Sequence, residues 1–119
     1  MTLDFDKNKP IYQQLIDRLS GDIIRGTRKP GDKLPSVREY AVEAGVNANT
    51  IQRVYKEMES MGITETKRGQ GSFVTEDQKR LEKLREDMKS TLVQSFITSL
   101  EAYGFSREEI SELVRRELS

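Results

Sequence analysis

The chain of 119 residues contains no cysteine and no histidine, and it has only three prolines. The absence of cysteine excludes a disulfide framework and a thiolate zinc site. The absence of histidine excludes a Ser-His-Asp triad, histidine-ligated metals and imidazole acid–base catalysis. We therefore expect no catalytic site, no metal site and no cofactor.

The chain also lacks an excess of either charge and any long apolar run. Twenty Lys and Arg balance twenty Asp and Glu, so net charge alone gives no reason to expect nucleic-acid or membrane binding. No apolar run approaches the roughly 20 residues of a membrane-spanning helix. The first residues lack the basic and apolar regions of a signal peptide. A cytoplasmic protein without a membrane partner is the expectation.

Glycine and proline are concentrated before residue 75, and only one glycine follows it. This distribution predicts a turn-rich domain over residues 1–75 and a helical tail over residues 76–119.

Capping signals place two short helices in the middle of the first domain. Ser36 and Glu39 have the capping-box spacing, so a helix is predicted to begin at Ser36. Asn47 is a good N-cap for the next helix, and Gly45 between them allows a tight turn. Together they are typical of a helix-turn-helix. A glycine-containing loop at residues 67–71, flanked by β-branched residues, predicts a hairpin that would form a wing.

Side chains near these helix starts and at the wing are of types that bind DNA. Asn and Gln can pair with adenine and Arg with guanine, while helix N-termini and Lys or Arg beside glycine favour phosphate. The predicted DNA-binding residues are Ser36, Arg38, Asn47, Asn49, Thr50, Gln52, Arg53, Lys67, Arg68 and Gly69. Three simpler interpretations stay open: Asn47 only caps its helix, Arg38 pairs with Glu39 or Glu43, and the wing is an ordinary solvated turn.

In the tail, apolar residues spaced three and four apart predict a long helix over residues 77–103. Ser106 and Glu109 have the capping-box spacing and predict the start of a second helix. A long helix with one apolar stripe is not stable alone, so the stripe should pack against a second copy of the chain. The predicted interface residues are Leu84, Met88, Leu92, Phe96, Leu100 and Leu113. The second helix should turn Ile110, Leu113, Val114 and Leu118 inward. Alternatively, Met88, Phe96 and Tyr103 could line a ligand pocket.

Four motifs together resemble the winged-helix domain of GntR-type bacterial transcriptional regulators. They are PIYQQ at residues 10–14, PGDKLPSVRE at 30–39, GVNANT at 45–50 and RGQGSFV at 68–74. The short helical tail resembles that of the YtrA subfamily, in which the tail forms a dimer. The resemblance implies that Arg38 contacts DNA, that the recognition helix begins at residues 47–50, and that Gly69 is the wing-tip glycine. Many members carry an arginine early in that helix, where this chain has Ala48 or Gln52.

The predicted fold is mainly α with a small β-hairpin: a winged helix-turn-helix domain plus a C-terminal two-helix dimerisation segment. The predicted function is that of a transcriptional regulator, a repressor that binds a palindromic double-stranded DNA operator as a homodimer. Two rivals are a winged-helix protein-interaction module and a sensor whose tail binds an unidentified small-molecule effector. An enzyme is not expected, because no constellation of residues supports one.

Overall fold

The computed structural model describes residues 5–119, over which the chain forms a mainly helical fold with one antiparallel hairpin, as predicted. The elements are α1 (Ile11–Arg25), α2 (Val37–Ala44), α3 (Ala48–Ser60), β1 (Thr64–Lys67), β2 (Gly71–Val74), α4 (Gln78–Ala102) and α5 (Arg107–Glu117). The chain divides into two compact units, one ending at Leu84 and one spanning Arg85–Ser119. The division predicted after residue 75 falls between β2 and α4, whereas the units meet inside α4. No helix within residues 5–119 is long and apolar enough to cross a membrane.

The first unit, which we call the winged unit, is built around side chains from α1, α2, α3 and the hairpin. Apolar residues spaced three and four apart on α1 and α3 put one face of each helix into the core. Those of α3 are Ile51, Val54, Tyr55 and Met58. The core includes Leu15, Ile16, Leu19, Ile51, Val54, Tyr55, Met58, Ile63 and Val74.

Leu84 corrects the predicted interface between copies. Its side chain is only 7% exposed in the single chain, and it belongs to the core of the winged unit. The apolar spacing of α4 continues without a break from this residue into the tail. Periodicity therefore cannot reveal that the start of the stripe packs within its own chain.

Both predicted capping boxes are present. The Ser36 hydroxyl accepts a hydrogen bond from the Glu39 backbone N–H at 3.1 Å, and the Glu39 carboxylate accepts one from the Ser36 N–H at 3.0 Å. These hydrogen bonds, the backbone one foremost, hold the pKa of Glu39 below its ordinary value. Ser106 and Glu109 form the equivalent pair at the start of α5, with distances of 3.1 Å.

The second unit, which we call the tail, consists of the later part of α4, a turn at Gly104 and α5. Ile110 is its one buried side chain. Leu113 and Leu118, predicted to face inward, are 39% and 83% exposed. Seven large apolar residues of this unit are exposed: Leu92, Val93, Phe96, Tyr103, Phe105, Leu113 and Leu118. Two helices alone are too few to cover them, so a large apolar surface is left in solvent.

Candidate DNA-binding surface

The recognition surface begins on the exposed side of α3. Asn49, Gln52, Arg53 and Lys56 are all exposed, on the side of the helix away from its buried stripe. Thr50, also predicted to bind DNA, is half-buried. Lys56 is not among the predicted DNA-binding residues. Its spacing could have revealed it, since it follows Gln52 by four residues and Asn49 by seven.

Asn47 acts as the N-cap of α3. Its side-chain oxygen accepts a hydrogen bond of 2.7 Å from the Asn49 backbone N–H. The prediction that Asn47 caps this helix is therefore confirmed. The side chain remains exposed, so capping leaves room for a contact to DNA near the helix N-terminus.

Arg38 lies in the first turn of α2 and is exposed. Within residues 5–119 its guanidinium has no ion pair and no hydrogen bond. Within these residues it is paired neither with Glu39 nor with Glu43, and the Glu39 carboxylate accepts a hydrogen bond from the Ser36 N–H. The cation of Arg38 is therefore available to an external anion.

Tyr55 of α3 holds the loop that leads into α2. Its hydroxyl donates a hydrogen bond of 2.7 Å to the Pro35 carbonyl, and its ring stacks on Tyr40 with ring centres 6.3 Å apart. Burial raises the pKa of Tyr55, so the phenol keeps the proton that it donates. This contact fixes the backbone just before Arg38 relative to the recognition helix. Sequence reasoning missed it, since no local pattern links residues twenty positions apart.

The wing carries cations on a short hairpin. β1 and β2 pair in antiparallel register from Thr64 with Val74 to Lys67 with Gly71. The Lys67 ammonium lies 4.7 Å from the centre of the Phe73 ring, while Arg68 and Gly69 are exposed in the connecting loop. Gly69 has a φ of +77° with open space around its Cα, so its backbone conformation rather than crowding favours glycine.

Lys33 is a further cation beside the wing that the predicted set omitted. Its backbone forms an isolated β-bridge with Phe73, and its side chain passes close to Gly71. The neighbouring Leu34 N–H donates to the Ser72 carbonyl at 2.8 Å. Lys33 thus adds positive charge to the wing, although it precedes the hairpin by more than thirty residues in sequence.

Arg53 has two side-chain partners in its own chain, an aromatic ring and a carboxylate. Its guanidinium carbon lies 3.6 Å from the centre of the Tyr12 ring, and its Nε lies 3.4 Å from the Glu57 carboxylate. The side chain nevertheless stays 57% exposed.

Two open grooves of the tail are lined by residues of both α4 and α5, with volumes of about 250 and 320 Å³. Leu100, Phe105 and Leu113 contribute to the smaller groove, and Val93 and Phe96 to the larger. Of the predicted pocket residues, Met88 and Tyr103 line neither groove. Of the predicted interface residues, Leu92 is 64% exposed and Phe96 is 44% exposed, while Met88 and Leu100 are half-buried.

Comparison with known proteins gives a consistent result over almost the whole chain. The family model described as "Bacterial regulatory proteins, gntR family" matches residues 11–74. The chain is 41% identical to the HTH-type transcriptional regulator YhcF of Bacillus subtilis, over 97% of this chain and 95% of that protein. It is 36% identical to the HTH-type transcriptional repressor YtrA of the same organism, over 83% of this chain and 81% of that protein.

Solved structures agree with the fold. A GntR family transcriptional regulator from Listeria monocytogenes aligns with a TM-score of 0.83 and 42% identity, over 94% of this chain and 98% of that one. The DNA-binding domain of AraR in complex with operator ORX1 aligns with a TM-score of 0.55 and 26% identity, over 63% of this chain and 92% of that one.

Proposed function

Since the chain belongs to the GntR family of bacterial regulatory proteins and is a DNA-binding transcriptional regulator, we propose that it is a repressor that binds a palindromic operator as a homodimer. Its helical tail places it close to the YtrA-like members of the family. Repression is supported by the similarity to YtrA, which is named a repressor.

One observation carries the assignment of the DNA-binding face. The exposed side of α3, the unpaired Arg38 and the cations of the wing all come from the winged unit, and Tyr55 ties the first two together. In this proposal α3 enters the major groove, where Asn49 and Gln52 meet base edges. Arg38 and the wing bind the phosphates on either side. The AraR complex with its operator supports this docking by similarity.

The exposed apolar side chains of the tail support the second copy. Leu92, Phe96, Leu100 and Leu113 are exposed or half-buried in one chain, and the same surface on a second chain would cover them. A two-fold interface uses the same patch twice. It would place two winged units on two half-sites, so the operator should be palindromic, with half-sites about one helical turn or a multiple of it apart.

An effector-gated regulator is the second candidate. The larger groove between α4 and α5 is lined mainly by apolar side chains, including Val93, Phe96 and Ile97, with Arg107 among its polar members. A small amphipathic molecule with an anionic group would suit such a lining. The effector itself is unidentified. A ligand that raises the thermal stability of the protein and changes its affinity for the operator would support this candidate.

The test of the main proposal is selection of genomic fragments by the purified protein, followed by footprinting and sedimentation. We expect one palindrome upstream of an operon, protection of two half-sites, and a particle of twice the 13.7 kDa chain mass. Because we expect the protein to act in the cytoplasm, deletion of its gene in the cell should raise transcription of that operon. Enrichment of no sequence, or a monomer at micromolar concentration, would contradict the proposal.

The division of labour on DNA can be tested on the same palindrome. Lys67→Ala should weaken binding to all sequences alike and reduce the salt dependence by about one phosphate contact. Gln52→Ala should instead relax the preference at one or two base pairs, with a loss of about 1–3 kcal/mol if the contact is bidentate. Unchanged discrimination in the Gln52→Ala protein would remove this residue from base readout.

A further inference from the structure

Arg53 is held against α1 by the ring of Tyr12. The guanidinium carbon is 3.6 Å from the ring centre. At that distance the group can lie only above the face of the ring, because an approach in the ring plane would overlap the ring atoms. The Arg53 Nε also donates a hydrogen bond of 3.4 Å to the Glu57 carboxylate, which orients the guanidinium within its own plane. The orientation of the guanidinium is therefore determined from two sides before any DNA is bound.

The contact uses the face of the guanidinium and leaves its outer edge open. The terminal nitrogens make no hydrogen bond to any residue from 5 to 119, and the side chain is 57% exposed. Two parallel N–H groups on one edge match the oxygens of a phosphate, and stacking on an aromatic ring does not reduce the positive charge. Arg53 thus has the geometry of a preorganised anion ligand.

The position of Arg53 on α3 favours a phosphate rather than a base edge. Its guanidinium is drawn toward the neighbouring helix, at the flank of the recognition surface. The side chain of Gln52, by contrast, makes no hydrogen bond to any residue from 5 to 119 and can extend into a groove. When α3 lies in the major groove, its flanks face the sugar–phosphate backbone.

We propose that Tyr12 is a positioning residue for DNA binding, whose ring holds the guanidinium of Arg53 so that the outer edge donates to a backbone phosphate. This rests on the docking of α3 proposed above and deepens it. Tyr12 acts through Arg53, and its hydroxyl has no part in the contact. The energy of a cation–π contact at a partly exposed site predicts a loss of about two- to fivefold in affinity per half-site when the ring is removed.

The decisive test is a double-mutant cycle on the full-length protein. Tyr12→Leu should lower affinity in the wild-type background and have no further effect when Arg53 is already alanine. Tyr12→Phe keeps the ring and should bind like the wild type. Tyr12 also packs against the core. A merely structural role would therefore cost the same affinity in both backgrounds, and that result would overturn the proposal.

Two duplex probes separate phosphate from base contact. One is the footprinted palindrome and the other a scrambled duplex of equal length. Arg53→Ala should weaken binding to both by the same factor and reduce the slope of log affinity against log salt by about 0.9 per half-site. A loss confined to the palindrome would assign Arg53 to base readout instead. If the wild type does not distinguish the duplexes, the proposed operator function fails, while the cycle on the scrambled duplex still tests Tyr12.

A spectroscopic measurement keeps the test independent of any variant that fails to fold. In protein labelled at arginine, the guanidinium signals of Arg53 should carry a ring-current shift in the wild type and in Tyr12→Phe. Addition of the scrambled duplex should move the terminal N–H signals and leave that shift in place. Loss of the ring-current shift on binding would mean that Arg53 leaves Tyr12 to reach DNA, which contradicts the proposal.

Discussion

Replacement of Arg38 by alanine should separate DNA affinity from stability. The guanidinium has no ion pair or hydrogen bond within residues 5–119, and it lies at the N-terminal end of α2, where the helix dipole does not favour a cation. Its removal should therefore change the free energy of unfolding by no more than about 0.5 kcal/mol. The capping box of α2 uses Ser36 and Glu39 and is left intact.

The effect of Arg38→Ala on DNA should be much larger. If the guanidinium makes a bidentate contact, its loss should cost about 1–3 kcal/mol, which is roughly 5- to 150-fold in affinity for each half-site. A dimer on two half-sites would lose twice that free energy. Arg38→Lys keeps the charge but not the planar fork, so its affinity should fall between those of the wild type and the alanine variant.

The assay is fluorescence anisotropy with the footprinted palindrome at one fixed salt concentration, beside thermal unfolding of each protein. Arg25→Ala is the matched control. Arg25 is an exposed arginine near the end of α1 that pairs with Asp22, outside α2, α3 and the wing. The control should bind DNA like the wild type. Wild-type affinity in Arg38→Ala would mean that this residue is a solvated surface charge, and the docking of the winged unit would have to be revised.

Three further predictions concern substitutions of single residues. Phe96→Glu should convert the dimer to a monomer in sedimentation, since it places a charge on an exposed apolar surface. The control is Val42→Glu, which changes an apolar residue of α2 that is 80% exposed, and it should leave the sedimenting mass unchanged. Tyr55→Phe removes the hydrogen bond to the Pro35 carbonyl. It should lower the free energy of unfolding by about 1 kcal/mol, or the melting temperature by about 4–8 °C for a domain of this size. An unchanged melting temperature would mean that this hydrogen bond does not stabilise the fold. Because the folded pKa of Glu39 is lowered, its contribution to stability is complete above the ordinary value of 4.5 and is lost as the pH falls through the folded value. Urea unfolding should therefore show the wild type losing its advantage over Glu39→Gln only in that acidic range.

Local chemistry made the helices of this chain predictable from the sequence. A capping box involves residues three positions apart, so Ser36 with Glu39 and Ser106 with Glu109 could be identified without any tertiary information. The four buried residues of α3, Ile51, Val54, Tyr55 and Met58, likewise have the local spacing of one helical face.

Contacts between distant segments were not predictable in this way. Tyr55 reaches Pro35, Arg53 reaches Tyr12, and Lys33 lies beside the wing only because helices and hairpin fold together. Leu84 shows the related limit of periodicity. An apolar stripe indicates that a face is buried, but not whether the residues that cover it belong to the same chain.

The exposed apolar surface of the tail also has a consequence for gene dosage. If operator binding requires two chains joined through Leu92 and Phe96, the concentration of the active species varies with the square of the free chain concentration when dimers are scarce. Halving the synthesis of this protein would then reduce its occupied operators by up to fourfold. The regulated operon would then respond more steeply than in proportion to the abundance of its regulator, even without any ligand.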